Sequence, residues 1–429
     1  MLNALGLLKQ RRFLPLFVTQ FLGAFNDNLF KTSMVLFATY HIYSDASQEQ
    51  NFNALATGLA ILPFFLLSAL AGQFADTHDK ARIIRLVKTA ELLIMLLGAA
   101  GIMMAFWGYE QIGLGLMLGA VLCLGVHSTF FGPIKYAILP QHLHPDEVLG
   151  GTGLVEAATY IAILAGTVLA GILPVEYAAI AVLVVAAIGW VAGRFVPPAP
   201  RQGPVLKINY NPITASWRLV SATMHIRRLF LAICAISFFW TMGAVLIIIF
   251  PPLAKNALTA DKHVSTIMIA LFSIGVAIGS VVINALLKGK TSARYGPASV
   301  LAMGACIVIF SMLVRGWPMA PDGGLYSWYT FFQVPRAWGI VAILTAIAVF
   351  GGMFVVPLYA FLTTTVTKDQ TARTVAANNI VNSGAMVGGA VVVQTLSAYG
   401  TTPENMLLVV AVMCPISAWI AYRLHQACD

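Results

Sequence analysis

The chain has 429 residues, 59% of them hydrophobic and only 10% charged, with a formal net charge of +9 and a mean hydropathy of +0.85. Soluble domains carry about a quarter charged residues, so the composition excludes a water-soluble protein and specifies a polytopic membrane protein. The positive balance does not indicate a nucleic-acid binder, because the basic residues lie between apolar runs without the interleaved aromatics of a stacking surface.

A membrane helix needs about 20 apolar residues, and twelve such segments are predicted, at roughly 14–40, 53–75, 83–107, 112–131, 151–173, 176–196, 229–252, 264–287, 296–316, 337–362, 374–397 and 404–424. Lys9, Arg11 and Arg12 ahead of the first run mimic a signal peptide, but no small-residue cleavage site follows, so the run reads as the first span. Basic residues alternate between the loops. One set holds Lys9, Arg11 and Arg12; Lys80, Arg82, Arg85 and Lys88; the six from Arg194 to Arg228; Lys288, Lys290 and Arg294; Lys368 and Arg373; and Arg423. The opposite set holds only Lys255, Lys262, Arg315 and Arg336. The positive-inside rule then puts both termini in the cytoplasm, as an even number of spans requires.

The longest polar connection, Pro197 to Arg228, divides the chain into a six-helix half at 1–196, a cytoplasmic linker at 197–228 with one surface helix near 213–225, and a second six-helix half at 229–429. Short matches in the same order, "KYAIL" with "LYAFL" and "DTHDKAR" with "KGKTSAR", point to a parallel repeat that sets Glu156 opposite Asn379. The expected fold class is an all-α, twelve-helix transporter built of two six-helix halves.

Polar residues inside the spans are the candidate site. "QFLGAFNDNLFK" places Asn26, Asp27, Asn28 and Lys31 in the first span. A central charge costs at least ~2.5–3.5 kcal/mol on insertion scales and so faces a bundle interior. Asp27 and Lys31 are four apart on one helix face and can pair; the alternative reading is a static polar pin between helices. In "GPIKYAILP", Gly132 and Pro133 are expected to break the fourth span beside Lys135, whose ammonium and the freed backbone donors suit a phosphate or carboxylate. A lysine snorkelling to the interface is the rival. Glu156 with Tyr160 in the fifth span, and Asn378, Asn379 and Asn382 in the eleventh, complete the candidate substrate-binding set.

Small residues in the fifth, eighth and eleventh spans (Gly166, Gly275, Gly279, Gly384, Gly388, Gly389 among them) suit close helix contact. Five scattered cysteines without a CxxC, and a lone "HLHPDE" loop, suggest neither a disulfide scaffold nor a metal site. No cofactor motif or catalytic constellation stands out, and an enzyme is not expected.

"GQFADTHDKAR", with Gly72, Asp76, Lys80 and Arg82, resembles the signature loop of the major facilitator superfamily, which implies a conformational latch at those residues. At "QFLGAFNDNLFK", "GPIKYAILP", "GLVEAATYIAILAG" and "GGMFVVPLYAFL" the chain resembles the bacterial lysophospholipid transporters of that superfamily. It also resembles the membrane domain fused, in some bacteria, to a glycerophosphoethanolamine acyltransferase and acyl-carrier-protein synthetase; "ARYGPAS" and "SFFWTMGA" are closer to that type. The resemblance implies a flippase moving lysophosphatidylethanolamine from the outer to the inner leaflet of the inner membrane. Asp27 would meet the headgroup amine and Lys135 the phosphate, with re-acylation by a separate cytoplasmic acyltransferase. Relatives with a basic residue in span seven would align it near Ile247, where this chain carries none. Two alternatives stay open: a proton-coupled exporter of small hydrophobic compounds using Asp27 or Glu156, and a membrane anchor for a lipid-remodelling enzyme.

Overall fold

In hydrocarbon every backbone N–H and C=O must be satisfied within the chain, which leaves helices as the outcome for spans this long. The computed structural model describes residues 6–144, 147–201, 208–287, 292–320, 323–364 and 368–428. Its twelve long helices are α1 (Leu14–Phe37), α2 (Ala46–Thr77), α3 (Lys80–Phe106), α4 (Glu110–Ala137), α5 (Val148–Ile172) and α6 (Val175–Arg194), then α7 (Arg227–Pro252), α8 (Lys262–Leu287), α9 (Gly296–Val314), α10 (Pro335–Thr364), α11 (Lys368–Ala398) and α12 (Pro403–Cys428). Among the described residues, ten are long enough and contain a stretch apolar enough to cross a membrane. Of the other two, α1 reaches spanning length and carries the Asn-Asp-Asn-Lys cluster, and α5 counts over its described residues as a shorter apolar helix, Ala158–Ile172. The surface helix expected in the linker is Pro212–Met224, with Ile213 and Trp217 exposed.

The chain forms two compact units: Met1–Phe37 with Leu62–Ala215, and Ala38–Ile61 with Ser216–Asp429. Within the first, α1 packs on α5, α6 and α4, and α3 packs on α4 and α6. Within the second, α7 packs on α11, α12 and α10, and α9 packs on α10 and α12. Adding six to each helix number converts one set into the other, which is the parallel repeat that the short matches suggested.

Close seams hold each unit. A Cβ on Gly166 of α5 would overlap the backbone of Phe25 in α1, and one on Gly279 of α8 would overlap the Val349 carbonyl of α10. Beyond Arg227 and Arg228 at its start, helix α7 carries no charge, and it is the centre of its unit rather than a lipid-facing helix. The apolar window of Arg227–Ala257 is 78% buried, with Phe239, Met242 and Phe250 inside the core.

The second unit also contains a buried polar clasp. Lys255 Nζ donates to the Thr39 and Tyr43 carbonyls and to Glu49 Oε1, while Asn256 Nδ2 donates to Glu49 Oε2. Asn53 Nδ2 reaches the Ile248 carbonyl at 3.4 Å, and the Tyr40 hydroxyl meets Ser265 at 2.6 Å. Lys255, which reads in the sequence as a loop charge, is thus a structural cation.

Candidate functional site: a charged pocket in the first unit

The pocket is assembled by α1, α3 and α4. Its cavity of about 180 Å³ is lined by Gln20, Gly23 and Asp27 of α1, Lys88 and Glu91 of α3, and His127, Ser128 and Lys135 of α4, with Phe64 and Phe131 as apolar walls. Asp27 is half-buried. Its Oδ2 accepts from the Ser128 hydroxyl at 2.8 Å, and its Oδ1 is buried without a hydrogen-bond partner. Gln20 donates to the Val155 carbonyl at 3.3 Å and to the Thr159 hydroxyl, tying α1 to α5 beside the pocket.

Lys88 and Glu91, three apart on one face of α3, form an ion pair at membrane depth with relative exposures of 1% and 0%. His127 Nε2 sits 3.1 Å from the same Glu91 oxygen, within ion-pair range but off hydrogen-bond alignment. Room for the lysine comes from glycines. A Cβ would stand 3.6 Å from Lys88 Nζ at Gly23 and 2.9 Å from it at Gly189, and 3.2 Å from Lys88 Cγ at Gly193. A side chain at Gly189 would displace the ammonium, one at Gly193 would crowd the lysine stem, and a Cβ at Gly23 would make ordinary contact. Glu91 Oε1 has no partner, so a carboxylate acceptor remains open at the pocket wall.

The structure separates the sequence-expected residues. Asp27 and Lys135 line one pocket. Asn26 turns away, donating to the Val182 carbonyl of α6 at 3.1 Å, and is a buried tie between helices. Asn28 donates to the Ala24 carbonyl one turn back at 2.8 Å. Lys31 is half-buried and does not line the cavity. Tyr160 is 69% exposed. In the second unit, Asn382 accepts from Ser237 at 2.7 Å, Asn378 is fully buried with neither polar side-chain atom partnered, and Asn379 is exposed. Of the loop residues, Gly72 is half-buried with open space at its Cβ position, Lys80 is buried, and Arg82 is exposed with its N–H donating to the helix-capping Asp79. The side chains of Asp76 and Glu156 lie outside the described residues.

The expected break at Gly132-Pro133 does not occur. Helix α4 continues through Pro133 to Ala137, so Lys135 stands on regular helix and no freed backbone donors accompany it. Proline within a helix forfeits one hydrogen bond without ending it when flanking turns hold. The sequence reading missed Lys88, Glu91 and His127. Lys88 was grouped with the loop charges after α2, although the i,i+3 spacing of Lys88 and Glu91 inside an apolar run was a usable signal.

Residues 16–390 match the family profile of the Major Facilitator Superfamily. The chain belongs to that superfamily. Among curated relatives, the lysophospholipid transporter LplT of Serratia proteamaculans is 26% identical over 384 residues, covering 87% of this chain and 84% of that protein. The transporter of the same name from Citrobacter koseri is 29% identical over 376 residues, covering 84% and 81%. Among solved structures, a D-xylose–proton symporter superposes with a TM-score of 0.69 at 11% identity, over 96% of this chain and 98% of the other. A bacterial homologue of the human lysosomal transporter Spinster gives 0.68 at 13% identity, over 97% and 98%. These likenesses share the fold. As a superfamily member the chain is a multi-pass membrane transporter.

Proposed function

We propose that this protein carries lysophospholipids, such as lysophosphatidylethanolamine, from the outer to the inner leaflet of a bacterial inner membrane, by alternating access and without chemical change to the substrate. Two things support the reading: the names of relatives that align over most of the chain, and one structural observation that carries it. A single pocket in the first unit is lined by Asp27, whose Oδ1 lacks a partner, and by Lys88 and Lys135. A zwitterionic phosphoethanolamine presents one cation and one anion. The Asp27 carboxylate suits the amine, and the Lys135 ammonium suits the phosphate. Glu156, Tyr160 and the Asn378–Asn382 group contribute elsewhere on the path, and Gly72, Asp76, Lys80 and Arg82 act as the conformational latch. Membrane lipids surround the transporter, both termini lie in the cytoplasm, and a separate cytoplasmic acyltransferase consumes the product. Residues 1–196 and 229–429 are the working halves.

The test is re-acylation of externally added labelled lysophosphatidylethanolamine in spheroplasts that have or lack the protein. Asp27→Asn and Lys135→Ala variants are expressed to equal levels alongside. Loss of incorporation in the deletion and both variants is the expected result; normal incorporation in the deletion removes lysophospholipid as substrate. A second reading, the proton-coupled exporter, is favoured by the approach of His127 to Glu91, since an imidazole and carboxylate in one pocket can exchange a proton. Drug-stimulated proton flux in vesicles would select it.

A further inference from the structure

The polar connection ahead of α7 carries a surface that transport does not explain. Its helix, Pro212–Met224, is capped by Asn211, whose Oδ1 accepts from the Ile213 and Thr214 N–H groups at 3.1 Å each. Thr223 is buried and Leu219 and Val220 are half-buried, so the protein covers one side of the helix. Ile213 and Trp217, four residues apart on the other side, are 71% and 72% exposed, and Tyr210 stands exposed just ahead of them. One exposed apolar side chain is ordinary. Three together, two of them aromatic with a polar tip, suit a helix lying in a lipid interface.

Chain length fixes where this surface stands. Gln73, near the end of α2, accepts through Oε1 from the Asn209 N–H at 2.7 Å, which holds the start of the helix at the end of a span. At the other end only three steps separate Met224 from Arg227, the first residue of α7. They reach at most about 11 Å, against a headgroup layer of roughly 5–8 Å. Because four helices, α3 to α6, intervene, α2 ends and α7 begins on the same side of the membrane. The helix is therefore tied to that surface at both ends.

Charge selects the lipid. From Arg194 to Phe230 the sequence has six basic residues and no Asp or Glu. Arg201, Arg218, Arg227 and Arg228 are exposed, and among the described residues none of them pairs with a carboxylate. Two of them open α7 at the positive end of its dipole, where the N-cap residue Ile226 gives no side-chain acceptor. Cations are unfavourable at that end and anions favourable. Anionic lipid answers both the charge and the apolar patch, and the three-step tether leaves a soluble partner little depth in which to reach Trp217.

We infer that Tyr210, Ile213 and Trp217 insert into the headgroup boundary of a leaflet containing anionic lipid, with Arg201, Arg218, Arg227 and Arg228 meeting its phosphates. The inference stands apart from the identity of the solute carried.

Trp217 is the probe, read as the difference in fluorescence between the wild-type protein and Trp217→Phe. Both are reconstituted in vesicles of phosphatidylcholine alone, or of an equal mixture with phosphatidylglycerol, with lipids brominated near the top of the acyl chains. Expected in the mixed vesicles is a blue-shifted difference emission, quenched at least twofold more strongly than in phosphatidylcholine alone. Arg218→Gln combined with Arg227→Gln and Arg228→Gln should abolish that contrast, while the tryptophans of the spans stay quenched as in the wild type. Water-like, unquenched emission in both membranes overturns the inference and leaves the face to a soluble partner. Equal quenching in both membranes, or a contrast that survives in the folded triple variant, overturns the assignment to anionic lipid. Should the triple variant fail to fold, the contrast between the two membranes decides alone. Failure of the lysophospholipid reading would show in transport and leave these spectra unchanged.

Discussion

Glu91→Leu removes one partner from the most deeply buried ion pair of the first unit. Lys88 is 1% exposed, with Gly189 close beside its ammonium, so bulk water does not replace the lost carboxylate. Removing one member of a buried pair costs about 3–5 kcal/mol, because the survivor is left uncompensated, whereas replacing both with apolar residues is often close to neutral. His127, 3.1 Å from the same Glu91 oxygen, cannot substitute, since it is neutral or of the same sign as Lys88. Glu91→Leu should therefore lower stability by about 4 kcal/mol, and Lys88→Met with Glu91→Leu should recover all but about 1 kcal/mol of it. Thermal unfolding in detergent, read on the single variants, the double variant and the wild type, closes the cycle. Single and double variants losing equal stability would refute the view that pairing, rather than packing, holds these two residues. Should the double variant be stable yet inactive in transport, the pair belongs to the pocket's function as well as its fold.

Gly279→Ala, whose Cβ would overlap the Val349 carbonyl, should cost about 1–3 kcal/mol, visible as reduced yield of folded protein and a lower melting temperature, while Gly72→Ala, with open space around it, leaves both near wild type. Lys255→Met leaves the fully buried Glu49 carboxylate with only Asn256 as partner and should cost about 3 kcal/mol; Glu49→Leu with Lys255→Met should restore part of it. His142, outside the spans, is held below the usual imidazole range by burial, against the raising effect of its 3.3 Å contact with the Pro198 carbonyl. Its folded state takes up a proton later than the unfolded chain as pH falls. The stability it contributes is therefore complete above the ordinary histidine range and is lost as pH drops through that range towards the lowered folded value. Hydrogen-exchange protection around 139–142 and 197–199, corrected for the intrinsic pH dependence of amide exchange, should fall as pH drops below the ordinary histidine range of about 6.5, and His142→Gln should flatten that dependence.

What the sequence made legible, and what it hid, follows from where the information resides. The twelve helices and the sixfold offset in their packing could be read because hydropathy and repeat order are local or translational properties. Asp27 was legible because a carboxylate within an apolar run has few places to go. The direction of Asn26 was not, since only the position of α6 decides that its amide meets the Val182 carbonyl rather than the pocket. Lys88 and Glu91 hid behind Arg82 and Arg85: a helix that begins with a basic turn looks like a loop until its register shows which charges are inside. Gly279 and Gly388 read alike in sequence, yet a Cβ on one would overlap a neighbouring carbonyl and a Cβ on the other would meet open space, a difference made by the neighbouring helices. The unbroken α4 shows that a Gly-Pro step within a long apolar helix does not by itself unwind it.

The most direct test of the central claim uses purified protein in liposomes. Fluorescent lysophosphatidylethanolamine is placed in one leaflet, and its arrival in the other is followed by extraction with albumin. The account predicts movement at least tenfold faster than in protein-free liposomes, abolished by Asp27→Asn at unchanged melting temperature. Movement at the protein-free rate, or full activity in Asp27→Asn, would contradict it.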